Sequence, residues 1–321
     1  MQHVAQLKTR KVNIMKQFYI TLLSYFTVFL LLTGHVCAER VIISNAPETI
    51  TSSGILYELN NFSGKARLII HHKNMQFTDI TEEGNQVSVL ITPLSKSANV
   101  KLVAGISVSR SGYVAGVAST NAYLEQTQAM PKSHLETGNI VDHNLSITQQ
   151  IKIVLGSVSR YNVFSMTGDI DADAPIKIEI VFGKTNATEA HGYSYHMAGT
   201  YIYSIVPTNI TTDTIVMLGV SPYLTDKTTR KTNKGNYGVT TEIKLPLSFK
   251  ERKLTISARG GRAYVVLHVR ACLGIPEGEW IIVDLQAYES ATYILSKDEM
   301  TIKTYPIPGS SYPVRLHFKG N

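Results

Sequence analysis

The strongest constraint on what this chain can fold into is a two-residue rhythm. In Ile176-Lys177-Ile178-Glu179-Ile180-Val181-Phe182, three isoleucines share one side of an extended backbone and Lys177 and Glu179 take the other. That alternation belongs to a half-buried β-strand, because strand side chains repeat every two residues. The same reading applies to Ala66 to Lys73, Gln86 to Thr92, Val100 to Val108 and Tyr201 to Val206. These stretches are rich in β-branched residues and are separated by Gly, Asn, Asp, Ser and Pro. From Val239 onward, seven further strand candidates (239–245, 253–258, 263–271, 279–285, 292–295, 301–305 and 314–318) follow at roughly the eight-to-twelve-residue spacing of sandwiches and barrels.

One segment departs from the rhythm. Tyr113 to Ala129 has Val114, Val117, Ala118 and Leu124 at helical offsets, contains no proline and stops before Pro131, which predicts a single helix. Arg259-Gly260-Gly261-Arg262 lies between two apolar strand candidates and predicts a two-residue hairpin, Gly-Gly supplying positive φ. The expected fold is mainly β: two β-sandwich domains, Ig-like or jelly-roll-like, at 39–187 and 188–321, with a helical insertion at 113–129 in the first.

The chain has 321 residues and a formal charge of +7. Part of that charge belongs to the N-terminus. Lys8, Arg10, Lys11 and Lys16 precede an apolar run from Phe18 to Thr33, and Val36 and Ala38 stand at the small-residue positions before Glu39. Residues 1–38 therefore read as a signal peptide for secretion; retained uncut, the same run would be an N-terminal anchor. Beyond it, 27 Lys and Arg face 24 Asp and Glu, a net +3, and Cys272 is the sole thiol. No disulfide can form within the remaining chain, so a packed core must hold it. The triplets at Asn61, Asn144, Asn186 and Asn209 have the form of glycosylation acceptors.

Enzyme signatures are missing. The chain contains no G-x-S-x-G, S-x-x-K or H-E-x-x-H, and the residue five before Gly183-Lys184-Thr185 is Ile178 where a phosphate loop needs Gly. Asp169, Asp171 and Asp173 begin like a calcium loop, but Ala174 and Ile180 occupy its glycine and glutamate positions. They remain the one metal candidate, and no cofactor is expected. His71 and His72 are adjacent in a strand and point to opposite faces; His191 and His196 lack further ligands.

Two groups of residues stand out for binding. Tyr193 with Tyr195, and Tyr201 with Tyr203, are i, i+2 pairs whose rings could stack on sugars. Between Asp226 and Arg262, ten basic residues face three acids, so +7 sits on 37 residues and −4 on the rest of the exported chain. Lys227, Arg230, Lys231 and Lys234 crowd one Thr- and Asn-rich loop, and Arg259 and Arg262 bracket the predicted hairpin tip. Such a field attracts polyanions outside the cell: wall polymers, acidic polysaccharides or anionic head groups, with no specific nucleic acid.

Ser53-Gly54-Ile55-Leu56-Tyr57, Gly64-Lys65-Ala66-Arg67-Leu68, His196-Met197-Ala198-Gly199-Thr200-Tyr201, Gly235-Asn236-Tyr237-Gly238-Val239 and Arg259-Gly260-Gly261 occur in this order over most of the exported chain. Together they resemble a loosely defined set of uncharacterised secreted, β-rich proteins of spore-forming Gram-positive bacteria. The resemblance implies export and brings no activity; attachment to the cell surface would be noncovalent. The expected function is a noncatalytic cell-surface or extracellular-matrix protein binding a polyanion or glycan. Two alternatives are kept: a secreted carbohydrate-active enzyme using Glu242, Glu251 or Asp284, and a structural subunit self-associating through strand edges.

Overall fold

A computed structural model describes residues 38–76, 85–127, 138–184, 188–194, 198–205, 207–211, 213–245, 252–269, 279–295 and 301–320. The expected signal peptide, apart from Ala38, lies outside them, as do Tyr195, His196 and Glu251. Residues 38–321 form one compact unit. It is mainly β, as the rhythm predicts, with several open sheets and a single helix among the described residues.

The first sheet has ten strands: β1 (Ala38–Ser44), β2 (Thr49–Ile50), β3 (Gly54–Asn74), β4 (Gln86–Pro93), β5 (Ala98–Ser109), β6 (Asn139–Ile147), β7 (Ile151–Ser157), β8 (Val163–Phe182), β9 (Gly192–Tyr193) and β10 (Gly199–Ser204). β10, which lies past the sequence boundary at 187, pairs antiparallel with β1. The long strands β3 and β8 pair from end to end, and every other strand except β9 and β10 attaches to one of them or to a direct neighbour of β8. β5 pairs with 163–172 of β8, and β4 with 176–182 on the same side. The change of partner falls at Asp173-Ala174-Pro175, where proline has no N–H to continue a ladder. Opposite it, β3 slips register around Phe62, with Asn61 at φ 59° and Gly64 at φ 80°. Bulges of this kind bend a strand. Leu68, Leu102 and Met166 from one half share a single buried cluster with Val89, Ile178 and Phe182 from the other, so the sheet folds over on itself.

The segment resembling a calcium loop is therefore this corner. Successive alternate residues of a strand cannot converge on one ion: Asp169 and Asp173 are four residues apart, about 13 Å along an extended chain. Each carboxylate also has its own protein partner. Asp169 accepts from the Tyr123 hydroxyl, Asp171 faces Lys65 at 3.8 Å, and Asp173 accepts from the backbone and side-chain amides of Asn99 at 2.7 and 2.6 Å. The calcium expectation is corrected accordingly.

The remaining strands form two sheets. β11 (Thr208–Asn209), β13 (Thr241–Lys244), β15 (Ala263–Val269), β16 (Glu279–Leu285) and β18 (Thr301–Tyr305) make one; β12 (Thr214–Leu218), β14 (Arg252–Ala258), β17 (Ser290–Leu295) and β19 (Val314–Lys319) make the other. Leu254, Ile256, Val265, Leu267, Ile302 and Leu316 lie in one cluster between them. β14 and β15 are in different sheets, so Arg259-Gly260-Gly261-Arg262 is a crossing and not the predicted hairpin. Neither glycine has positive φ. Leu254 and Ile256 of β14 and Val265 and Leu267 of β15 meet in that one buried cluster, so the two strands pack through side chains and not through a shared ladder.

The helix α1 (Gly112–Thr127) matches the predicted 113–129 closely. It packs on β5 and β8 with one side and on the second set of sheets with the other, where Val117 and Leu124 meet Tyr264, Val266 and Tyr305. Residues 115–124 are all buried, which explains why the helix is not amphipathic. Close approach is possible because small residues face both neighbours: a Cβ on Gly105 would sit 2.1 Å from the Ser119 carbonyl oxygen, and one on Gly116 2.0 Å from that of Pro308.

Two predictions follow from this packing. Gly105→Ala must push α1 off β5, since the obstructing atom is backbone, and should cost about 3 kcal/mol or more; an unchanged urea midpoint would contradict that placement. His72 is buried, its Nδ1 donates to the Pro47 carbonyl at 2.6 Å, and its Nε2 is 2.9 Å from the Ser44 hydroxyl. Burial lowers its pKa to about 4, although hydrogen bonding to the backbone of Pro47 and of Ser44 opposes the shift. The unfolded chain thus binds the proton first, and stability worth about 3 kcal/mol should be lost as pH falls from about 6.5 to 4. His72→Gln should flatten that part of the pH–stability curve, and superimposable curves would count against it.

Candidate functional site

A groove of about 980 Å³ opens beside β3. One wall is Ile55 to Asn60 of β3, and the facing side includes Thr200 and Ile202 of β10 with the 226–231 loop; Glu189 to Gly192 close one end. The loop's form follows from Asp226. Its Oδ1 accepts the backbone N–H groups of Thr228 and Thr229 at 2.8 and 2.9 Å, and its Oδ2 accepts that of Thr200 at 2.9 Å. The Arg230 N–H returns to the Asp226 carbonyl, and the Asp226 N–H to that of Lys231. An aspartate bonding its own backbone two and three residues on is a local turn-former. The Thr200 bond adds a tertiary anchor. Burial acts to raise the Asp226 carboxyl pKa, but the three backbone donors outweigh it and hold the group below the usual carboxylate range.

The charge of Asp226 is thus spent inside the turn, and the lysines are presented outward. Lys227, Arg230 and Lys231 are exposed, and Lys227 and Lys231 line the groove. Among the described residues no carboxylate stands within ion-pair distance of these three. Across the groove Glu58 is bound to Lys177 at 2.9 Å and accepts from Asn60 at 2.7 Å. Tyr57, half-buried on the same wall, bonds Thr200 at 2.7 Å, and burial raises its pKa.

The other expected basic residues do not join this group. Lys234 is exposed in the following turn, and Arg259 is exposed at the sheet crossing. Arg262 is no free cation. Its Nε and Nη2 donate to Asp284 at 3.1 and 2.6 Å, and its guanidinium lies 4.3 Å from the Tyr113 ring centre. The Tyr113 hydroxyl donates to the same carboxylate. Arg262 therefore fastens α1 to β16, and its place among the polyanion ligands is withdrawn.

The tyrosine pairs are likewise divided. Tyr201 and Tyr203 are 0% and 8% exposed and pack on Val41, Ile43 and Ile69, so neither ring face is open to a sugar. Leu224, Tyr237 and Val239 pack on the same cluster, and the Tyr203 hydroxyl accepts the Thr240 N–H at 3.0 Å. These rings hold both ends of the basic loop onto the first sheet. Tyr193 is 71% exposed but is not part of the groove wall. Tyr195 lies outside the described residues.

For carbohydrate hydrolysis the nominated acids are badly placed. Glu242 faces Lys303 at 3.4 Å and Asp284 holds Arg262. Their strands, β13 and β16, are separated by β18 and β15, which puts the two at least about 14 Å apart, beyond the span a glycosidase pair uses. Among the described residues no three metal-binding side chains come together, and no helix is long and apolar enough to cross a membrane.

Asp226→Ala should loosen the loop at a cost of about 2 kcal/mol, because three backbone donors lose a charged acceptor. Amide exchange at Thr200, Thr228 and Thr229 should accelerate together, and unchanged exchange at Thr200 would contradict the anchor. The chain matches no protein-family model and no curated protein.

Proposed function

We propose that the chain is an exported, noncatalytic protein of two β-sandwich units meeting across α1, which binds an anionic polymer outside the cell through the 226–231 loop. The observation that carries this reading is the turn built on Asp226, which keeps Lys227, Arg230 and Lys231 exposed beside a large groove without carboxylate partners among the described residues. A pre-formed cationic loop loses little entropy on binding and concentrates positive potential where a polyanion can lie. The basic N-terminus followed by the apolar run from Phe18 to Thr33, and the phrases that resemble exported β-rich proteins of Gram-positive bacteria, support the same compartment. The partner class is wall polymer, acidic polysaccharide or acidic polypeptide, and localisation is extracellular or noncovalently wall-associated.

The test is retention on isolated Gram-positive cell walls across a salt series, beside the variant with Lys227, Arg230 and Lys231 all changed to Ser. Binding should fall steeply with salt, because exposed charges are screened within about 10 Å at 0.1 M, and the variant should lose at least tenfold at low salt. Equal retention of the two proteins would remove the loop from the binding site.

A further inference from the structure

Six consecutive residues of β3, Ile55 to Asn60, line the groove. A groove over one face of a strand touches alternate residues, since neighbouring side chains point opposite ways. Contact with every residue in turn means that the groove runs along the strand's edge. The pairing agrees. On the side away from β8, β3 meets β1 at 67–70 and β2 at 73–74, and near its start it has one bridge, from Ile55 to Glu189. Between Leu56 and Asn60 no strand among the described residues pairs with that side.

The folded sheet is lopsided for the same reason. Around 163–172 of β8 the half-sheet runs β10, β1, β3, β8, β5, β6; around 176–182 it runs β3, β8, β4, β7. Among the described residues the second half has no counterpart to β1 and β10, and the groove occupies that place. Ile202, 51% exposed, and the half-buried Leu59 give it an apolar lining, and Lys227 and Lys231 stand on the facing side.

We infer that the groove takes an acidic polypeptide in extended form, added as a strand to β3 at Leu56–Asn60 with its carboxylates toward Lys227 and Lys231. This deepens the polyanion reading and rests on it. Five strand residues span about 17 Å and offer backbone donors and acceptors at a fixed two-residue repeat. Another β-strand matches that repeat, and a polysaccharide or polyphosphate does not. Backbone pairing supplies affinity in strand addition, and alternate side chains supply specificity. Here the outward-facing alternate positions would carry Glu or Asp opposite the loop, while the edge's own Glu58 is already held by Lys177 and Asn60.

The test leaves the protein intact and alters the ligand. Calorimetric titration compares a capped Thr-Glu hexapeptide repeat with two twins, N-methylated on the Thr or on the Glu residues, and with polygalacturonate. N-methylation keeps the charge and removes strand donors. One twin should bind at least tenfold more weakly than the parent peptide, the other like the parent, and Lys227→Ser with Lys231→Ser should weaken the parent at least tenfold. Equal binding of parent and both twins would overturn strand addition while leaving the loop's role in place. Lysine-dependent binding of polygalacturonate with no binding of the peptide would do the same. Peptide and polygalacturonate binding that both ignore the lysine substitutions would overturn the polyanion reading itself.

Discussion

Most of the first sheet depends on one pairing, that of β3 with β8. Both strands are far longer than usual, so a ladder of ordinary strands can hang from either side of the pair only if it bends. The bend is supplied by bulges around Phe62 on one strand and Asp173-Ala174-Pro175 on the other. Bending lets the two halves share one apolar cluster. Among the described residues it also leaves the start of β3, past the Ile55–Glu189 bridge, without an outer neighbour, and the groove lies there. The candidate site is a consequence of how this sheet had to fold to bury both halves.

The second constraint is the burial of α1 on both sides. A helix enclosed between sheets must be narrow and must have its polar groups satisfied. Gly116, Ala115, Ala118 and Ala122 supply the narrowness. Ser119 donates to Ser165 at 3.1 Å, Thr120 faces Thr167 at 3.2 Å, and Tyr264 donates to Asn121. Nearby, Arg67 of β3 lies 4.1 Å from the Tyr305 ring centre, donates to the Gly238 carbonyl at 3.0 Å and faces Asp169 at 3.9 Å. One arginine thus links the first sheet, the 5-stranded sheet and the segment that follows the basic loop. Burial works to lower its pKa, but the surrounding hydroxyls and carboxylate outweigh that and hold the guanidinium charged. Arg262 plays a comparable part at the other end of α1.

These two arginines also mark where reading residues one at a time reaches its limit. A basic residue in a chain is the same letter whether its charge is offered to a ligand or consumed by a neighbour. Lys227 and Lys231 were legible as binding candidates because a dense local run in a Thr- and Asn-rich loop has few internal partners. Arg262 was not separable from them, because its partner Asp284 is on β16 and its stacking ring is on α1. Tyr201 and Tyr203 share a face, as their spacing requires, but spacing is silent on whether that face is covered. The Asp226 turn is local and could have been read from Asp226-Lys227-Thr228-Thr229; the Thr200 bond that anchors it could not.

What the amino-acid order determined by itself is whatever depends on neighbours within a few residues. The two-residue rhythm made the strands, the proline-free stretch made α1, and the clustered lysines made a cationic loop. Tertiary structure decided which strands pair, so Arg259-Gly260-Gly261-Arg262 became a crossing between sheets and Asp169 to Pro175 became a corner. It decided which charges and rings remain exposed. It alone brought the Leu56–Asn60 edge of β3, unpaired among the described residues, into one groove with Lys227 and Lys231. The physical reason is that burial and hydrogen-bond satisfaction are settled by the partners available in space, and for β pairing those partners are distant in the chain.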